Sequence, residues 1–428
     1  MKRLLEGQFE RQVAATFFGQ SIGVIISIAS SAIIARWLGP EGKGILAITL
    51  LLPGALVIFL NLGIGVANVY YIGTRRFDVS TLSKNSVTFA LLTSALGTVL
   101  IVGFLALGWI QPFLPGVPAW LILIAAVLFP IGILAGYFNT ILQGLQSIIT
   151  LNIIHLSQRV LTLIFLCLFI IILNLGILGA LVSHLGTGLV GLIALTAVVG
   201  RKGGIFKPSW NSRIMGSTLS FGLKGQIGNI LQFFNYRLDL FILNYFLGPD
   251  HVGIYTVSVG LAELLWHFPD AVSFVLLSKV ANTKPGLLDS FTPRVLRSTL
   301  GVTAVGGIGL LILGKSIISI TYSPVFLAAY IPLVALIPGV VLLGGAKVLT
   351  SNIAGRGSPQ YNSITSGLAL IITVILDIVL IPRYGVLGAA LASSIAYTVS
   401  FFASVGFYRV VSGRKKETEK IGCTCARY

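Results

Sequence analysis

Long apolar runs, each interrupted by a short cluster of glycine, proline or charge, organise this chain from end to end. A helix needs about 20 residues to cross roughly 30 Å of hydrocarbon, and twelve charge-poor stretches of that order can be drawn. In the first half they lie near 12–38, 45–72, 85–109, 119–143, 149–173 and 178–199. The second half gives 215–246, 252–280, 295–321, 326–354, 361–381 and 386–411, the ninth and tenth being the least cleanly separated. The pattern predicts an all-α polytopic membrane protein of about twelve transmembrane helices.

Two segments recur at one offset. Leu38-Gly39-Pro40-Glu41, with Gly44, returns 209 positions later as Leu247-Gly248-Pro249-Asp250 with Gly253, and Gly176-Ile177-Leu178-Gly179-Ala180 returns as Gly385-Val386-Leu387-Gly388-Ala389. A shared offset predicts two homologous halves of six spans, parallel because an even number of crossings returns each half to its starting side. The expected boundaries are an N-terminal lobe over 1–205, a C-terminal lobe over 206–411 and a basic tail over 412–428, with the linker near Gly200 to Ser212. The first apolar run is too long for a signal peptide and lacks a small-residue cleavage site, so it is expected to remain as a span.

Composition supports the membrane reading. The chain is 56% hydrophobic and 10% charged, with mean hydropathy +0.98, whereas soluble domains carry about 25% charged residues. A net charge of +17 would suit nucleic acid, but the basic residues are placed for a membrane. Arg75, Arg76, Lys84, Arg201, Lys202, Lys207, Arg213, Arg294, Arg297, Lys347 and Arg356 sit in or beside even-numbered loops, and Arg409, Arg414, Lys415, Lys416 and Lys420 crowd the C-terminal end. The alternate loops hold only Arg36, Lys43, Lys315 and Arg383. The positive-inside rule then places both termini in the cytoplasm and the chain in the cell (inner or plasma) membrane, with no nucleic-acid partner. The three cysteines make no disulfide framework: Cys167 lies in a span, and Cys423 with Cys425 lacks two further metal ligands.

Polar positions inside the spans carry the functional signal. At about 100° per residue, the seventh span divides into an apolar arc of Leu223, Ile227, Ile230, Leu231, Phe234, Leu238 and Phe241 and an opposite arc of Lys224, Gly225, Gly228, Asn229, Gln232, Asn235 and Asp239, with Gln226 and Arg237 at its margin. The first span does the same more mildly through Gln12, Thr16, Gln20, Gly23, Ser27 and Ser30. Membrane Asn and Gln often serve as interhelical glue. Two cations on one face, each costing roughly 2.5–3.5 kcal/mol near the bilayer centre, favour a hydrated cavity instead. Asn152, His155, Arg159 and Thr162 share a face of the fifth span, where Arg159 either joins the cavity or snorkels to the interface. Glu263, His267 and Asp270, with Asp239, are candidate ion-coupling residues, the alternative being that Glu263 neutralises Arg237.

No hydrolase elbow, zincin helix or phosphate-binding loop is present. No cofactor is implied, and any energy source is an ion gradient, the membrane potential or the substrate's own gradient. Secondary transport by alternating access is the expected activity, rather than catalysis.

The chain resembles the polysaccharide-biosynthesis flippases, the Wzx-type branch of the multidrug/oligosaccharidyl-lipid/polysaccharide exporter superfamily. The resemblance rests on the turn Ala35-Arg36-Trp37-Leu38-Gly39-Pro40-Glu41-Gly42-Lys43-Gly44, on Asn61-Leu62-Gly63, on Ala354-Gly355-Arg356-Gly357 and on Leu380-Ile381-Pro382-Arg383-Tyr384-Gly385 with its continuation to Ala390. It implies two six-helix lobes around a central cavity, and a cargo of oligosaccharide joined by pyrophosphate to a polyprenyl carrier, turned from the cytoplasmic to the outer leaflet during cell-envelope polysaccharide synthesis. Membrane lipids, and enzymes of the same pathway such as a polysaccharide polymerase and glycosyltransferases, are the implied partners. A diphosphate wants fixed cations and sugar hydroxyls want amides, which makes Lys224, Arg237, Arg159, Asn229, Gln232, Asn235 and Gln20 the candidate substrate-binding residues. A cation-coupled multidrug exporter shares the fold, and a membrane glycan polymerase or ligase is disfavoured by the short outer loops.

Overall fold

In a lipid environment the backbone must satisfy its own hydrogen bonds, and runs of Leu, Ile, Val and Ala do so as helices. The computed structural model describes residues 2–281 and 285–425, and among them there are helices and turns but no strand. The first half comprises α1 (Lys2–Leu60), α2 (Ile64–Gly73), α3 (Val79–Ala106), α4 (Ile110–Phe113), α5 (Ala119–Ala126), α6 (Leu128–Gly144), α7 (Ile148–Leu166) and α8 (Gly176–Arg201). The second comprises α9 (Ser212–Leu247), α10 (Pro249–Glu263), α11 (His267–Ala281), α12 (Pro285–Thr321), α13 (Tyr330–Gly355), α14 (Gln360–Tyr384) and α15 (Val386–Cys425).

Ten helical segments among the described residues are long and apolar enough to cross a membrane. Two features account for the difference from the expected twelve. The first two spans are two helices that meet directly at a reversal at Gly39 (φ 66°, ψ −174°), with no loop between them, and together make up α1. The 36-residue α9 is long enough but carries too many polar side chains to qualify by apolarity. The expected second span is itself broken: Leu62 (φ 52°) and Gly63 (φ 71°) part α1 from α2. The ninth and tenth spans separate cleanly at Ser323 (φ 124°) and a 3-10 turn over Pro324–Ala329.

The repeat read from the sequence is written into the backbone. Gly39 and Gly248, 209 positions apart, share a left-sided φ of 66° and 84°, and Gly176 and Gly385 share φ values of 57° and 60°. Only glycine adopts such angles without strain, so the same residue recurs where the same reversal recurs.

The chain divides into two compact units. The first holds Ile25–Phe233 and Leu243–Gly253. Its α6 packs on α2, α3 and α8, and Tyr71, Phe138, Ile141, Leu142, Leu195 and Val199 fill the interior. The second holds Met1–Val24, Phe234–Ile242 and Ile254–Tyr428, with α13 and α15 as its central pair. That pair meets at a glycine: a Cβ on Gly339 would lie 2.4 Å from Ser394 Cα, and the Gly339 N–H donates to Ser394 Oγ at 3.0 Å. Close approach over small residues is how helices associate where both are surrounded by apolar neighbours.

One expected loop residue moves indoors. Lys43 follows a kink and not a loop, so it falls inside the second part of α1, is 7% exposed and donates from Nζ to Ser31 Oγ at 2.8 Å. Glu41, two residues earlier, is exposed.

Candidate functional site

Helix α9 supplies three polar side chains to the second unit. Asn235, Arg237 and Asp239 follow one another at every second position near its end. Asp239 is buried and fully engaged: the Leu240 N–H donates to Oδ1 (2.9 Å), while the hydroxyls of Tyr255 (2.7 Å) and Ser393 (3.2 Å) donate to Oδ2. Three donors converging on one carboxyl group satisfy its oxygens and fix its place in the core. One turn earlier, Asn235 Oδ1 accepts from the Thr373 hydroxyl at 3.1 Å. This places α9, α10, α14 and α15 around one polar core.

Asp377 completes that core and was not among the candidates read from sequence. It lies one turn beyond Thr373 on α14, is 0% exposed, and among the described residues none donates a hydrogen bond to either carboxylate oxygen. It stands within electrostatic range of Asp239. A buried carboxyl group without protein donors is costly, and a lone acid in a membrane span is a functional candidate by default. That rule was sufficient to find it, since Asp377 is the one charge in the otherwise apolar span 361–381.

The remaining candidate carboxylates are held by bases. Arg237 forms a two-point contact with Glu263, Nη1 to Oε1 at 2.7 Å and Nη2 to Oε2 at 3.4 Å. Lys347, counted from sequence with the loop cations, projects from α13, binds Asp270 Oδ1 at 2.7 Å and lies 4.4 Å from the Trp266 ring centroid. Tyr236, Trp266 and Tyr397 form an aromatic group beside these pairs, with centroids 5.1–6.1 Å apart. Glu263 and Asp270 therefore each face a base, and His267, half-buried at the start of α11, stands between them in the chain.

Other candidates fall in the first unit. Arg159 and His155 are exposed on α7, where His155 Nδ1 is 3.3 Å from Gln158 Oε1. Asn229 and Gln232 are exposed on α9, and Asn229 Nδ2 reaches Gln226 Oε1 at 3.5 Å. Gln226 is buried and donates to the Ile58 carbonyl. The polar arc of α9 thus splits between Gln232 and Asn235, its later part buried and its earlier part open. On the expected apolar arc, Leu223 and Ile227 are 44% and 63% exposed. The side chains of Gln20 and Lys224 lie outside the described residues, as do those of Cys423 and Cys425. Among the described residues no three His, Cys, Asp or Glu side chains group as a metal site.

Comparison with known proteins agrees with this architecture. Residues 9–267 match the family described as polysaccharide biosynthesis protein. Over 232 residues the chain is 22% identical to the probable low-salt glycan biosynthesis flippase Agl15 of Haloferax volcanii, covering 51% of this chain and 47% of that protein. It is 27% identical over 197 residues to the probable flippase AglR of the same organism, covering 44% and 41%. These matches span less than half the length of either flippase. An uncharacterised membrane protein of Methanocaldococcus jannaschii matches more fully, at 23% identity over 90% of this chain and 93% of its own. Among solved structures, an inward-facing multidrug resistance MATE family transporter of the MOP superfamily superposes with a TM-score of 0.73 at 15% identity, covering 92% of this chain and 96% of the other. The lipid II flippase MurJ in an inward closed conformation gives 0.72 at 17%, covering 94% and 89%. The chain shares the fold of these two structures, and the family match extends over more than half of the sequence. The chain belongs to the polysaccharide biosynthesis protein family.

Proposed function

We propose that the protein is a flippase that carries a polyprenyl-pyrophosphate-linked oligosaccharide from the cytoplasmic to the outer leaflet of the cell membrane by alternating access between its two repeats. The observation that carries this reading is the α9 segment Asn235 to Asp239, which places two buried polar side chains and a cation on a membrane helix of a chain in the polysaccharide biosynthesis family. Polar and charged groups inside a membrane span are expensive and rare, and they mark substrate or ion pathways by default.

Arg237 and Lys224 on α9, with Arg159 on α7, are the proposed diphosphate ligands, and Asn229, Gln232, Asn235 and Gln20 the sugar ligands. Arg237 reaches cargo by exchanging its carboxylate partner: phosphate oxygens offer the same paired acceptors that Glu263 offers now. Coupling rests on Asp239 with Asp377, and Glu263, His267 and Asp270 take part through charge pairs that reform between states. A multidrug exporter remains the second reading, favoured by the likeness to MATE transporters.

The test uses purified protein in proteoliposomes carrying a fluorescent polyprenyl-pyrophosphate oligosaccharide. Flipping of that lipid, with none of its polyprenyl-monophosphate analogue, is the expected result. Arg237→Ala is expected to lower the rate about tenfold or more, in line with losing a charge-assisted hydrogen bond of about 1.5–3 kcal/mol. Transport of cationic drugs without lipid flipping would overturn the flippase reading in favour of the exporter.

A further inference from the structure

The duplicated turn that reveals the repeat is built the same way twice. Gly39-Pro40-Glu41 and Gly248-Pro249-Asp250 both reverse at a left-sided glycine, open a helix with proline and put an acid in its first turn. In the structure these two turns touch, and the contact is reciprocal. A Cβ on Gly44 would stand 1.6 Å from the Pro249 carbonyl oxygen, and a Cβ on Gly253 would stand 1.9 Å from the Pro40 carbonyl oxygen. Shifting either contact by 209 positions gives the other, since Gly44 becomes Gly253 and Pro40 becomes Pro249. Backbone meets backbone with no side chain between, which only glycine permits.

The meeting ends are both helix N-termini, whose partial positive charges are mutually unfavourable, and Glu41 and Asp250 offset that charge. A glycine Cα–H set against a carbonyl oxygen is worth less than an ordinary hydrogen bond. Such a joint is therefore close-fitting in one state and cheap to part. The second turn has one further fastening: Asn244, 0% exposed, donates from Nδ2 to the Pro115 carbonyl at 3.3 Å.

We propose that the two Leu-Gly-Pro turns form a glycine-proline lock that closes the end of the transport path opposite the N-terminus and has to part for cargo to leave. The lock deepens the transporter reading and rests on it for the word path, but its packing is measurable without any cargo.

The experiment begins from protein with Cys167, Cys423 and Cys425 replaced by serine, and adds Glu41→Cys and Asp250→Cys, both exposed positions at equivalent places in the repeat. A short, reducible thiol cross-linker should bridge the pair within one molecule and slow lipid-linked oligosaccharide flipping at least tenfold, with recovery on reduction. Gly44→Ala and Gly253→Ala should each slow bridging at least tenfold. Gly54→Ala, whose Cβ would meet open space on the same helix, should leave it unchanged. Asn244→Ala, which adds no bulk, should also slow bridging, and covers the case in which an alanine at the lock fails to fold. Complete bridging with full flipping would identify a static staple and overturn the lock, as would alanine variants that bridge like the parent. If glycine-dependent bridging is seen while the unlinked protein flips nothing, the cargo assignment fails and the packing stands.

Discussion

Asp377 and Asp239 show how differently two carboxylates in one polar core are treated. Asp239 has donors from Leu240, Tyr255 and Ser393, whereas Asp377 has none among the described residues. A group so placed serves best as the one that changes its occupant between conformations, because no protein hydrogen bond has to be broken to do so. Asp377→Asn keeps the shape and is expected to leave the amount of folded protein unchanged while abolishing the response of flipping to an imposed pH or sodium gradient. Asp239→Asn should cost stability as well, about 1.5–3 kcal/mol, because its donors then face a neutral amide. Gradient-responsive flipping by Asp377→Asn proteoliposomes would rule out a coupling role. Asp239 was legible in the sequence because helical periodicity placed it on the polar arc of α9, and the pairing of Glu263 with Arg237 was one of two readings left open. Asp377 went unread because attention to polar arcs passes over a single acid with only apolar neighbours in sequence. Its polar company, Thr373 apart, comes from other helices, and no one-dimensional pattern carries that.

At the scale of elements, the hydropathy pattern located the spans and the repeat located the turns, but neither could tell a loop from a kink. Gly39 and Pro40 do turn the chain between the first two spans, but without a loop, since proline at a first helical position opens the next helix at once and leaves Lys43 helical. Asn61-Leu62-Gly63 had the opposite fate, a break inside a stretch read as one span. The division of α9 was beyond reach for a related reason. Periodicity assigns faces, and which part of a face is covered depends on tertiary neighbours. Packing at this scale is testable at the α13–α15 contact. Gly339→Ala forces a methyl toward Ser394 Cα, 2.4 Å from the ideal Cβ position, and overpacking of that kind costs about 1–3 kcal/mol. Gly309→Ala on α12 meets nothing within 4 Å and should stay within about 0.5 kcal/mol. Thermal unfolding in detergent is expected to show a lowered midpoint for the first variant and an unchanged one for the second. Equal midpoints would mean that the two helices are not held at the observed separation.

For the molecule as a whole, the distribution of lysine and arginine sets orientation, and the structure changes which residues can report it. The basic linker around Lys202 is exposed, and the expected arrangement puts it in the cytoplasm with both termini. Lys43, one of the alternate-loop cations, is a poor reporter for the opposite side, because a buried position reacts slowly with any reagent whichever side it faces. Glu41 and Asp250 are exposed at equivalent turns of the two repeats and replace it. Parallel repeats require these two positions to share one side of the membrane, since 209 residues and six crossings separate them. An impermeant maleimide applied to intact cells should therefore label Glu41→Cys and Asp250→Cys alike, and label Lys202→Cys only after permeabilisation. The pairing is the stricter half of the test: an inverted molecule would exchange all three outcomes together, whereas labelling of Glu41→Cys without Asp250→Cys would mean an odd number of crossings between the turns. In that case α9, whose polar side chains keep it below the apolarity of an ordinary span, would be the helix that fails to cross.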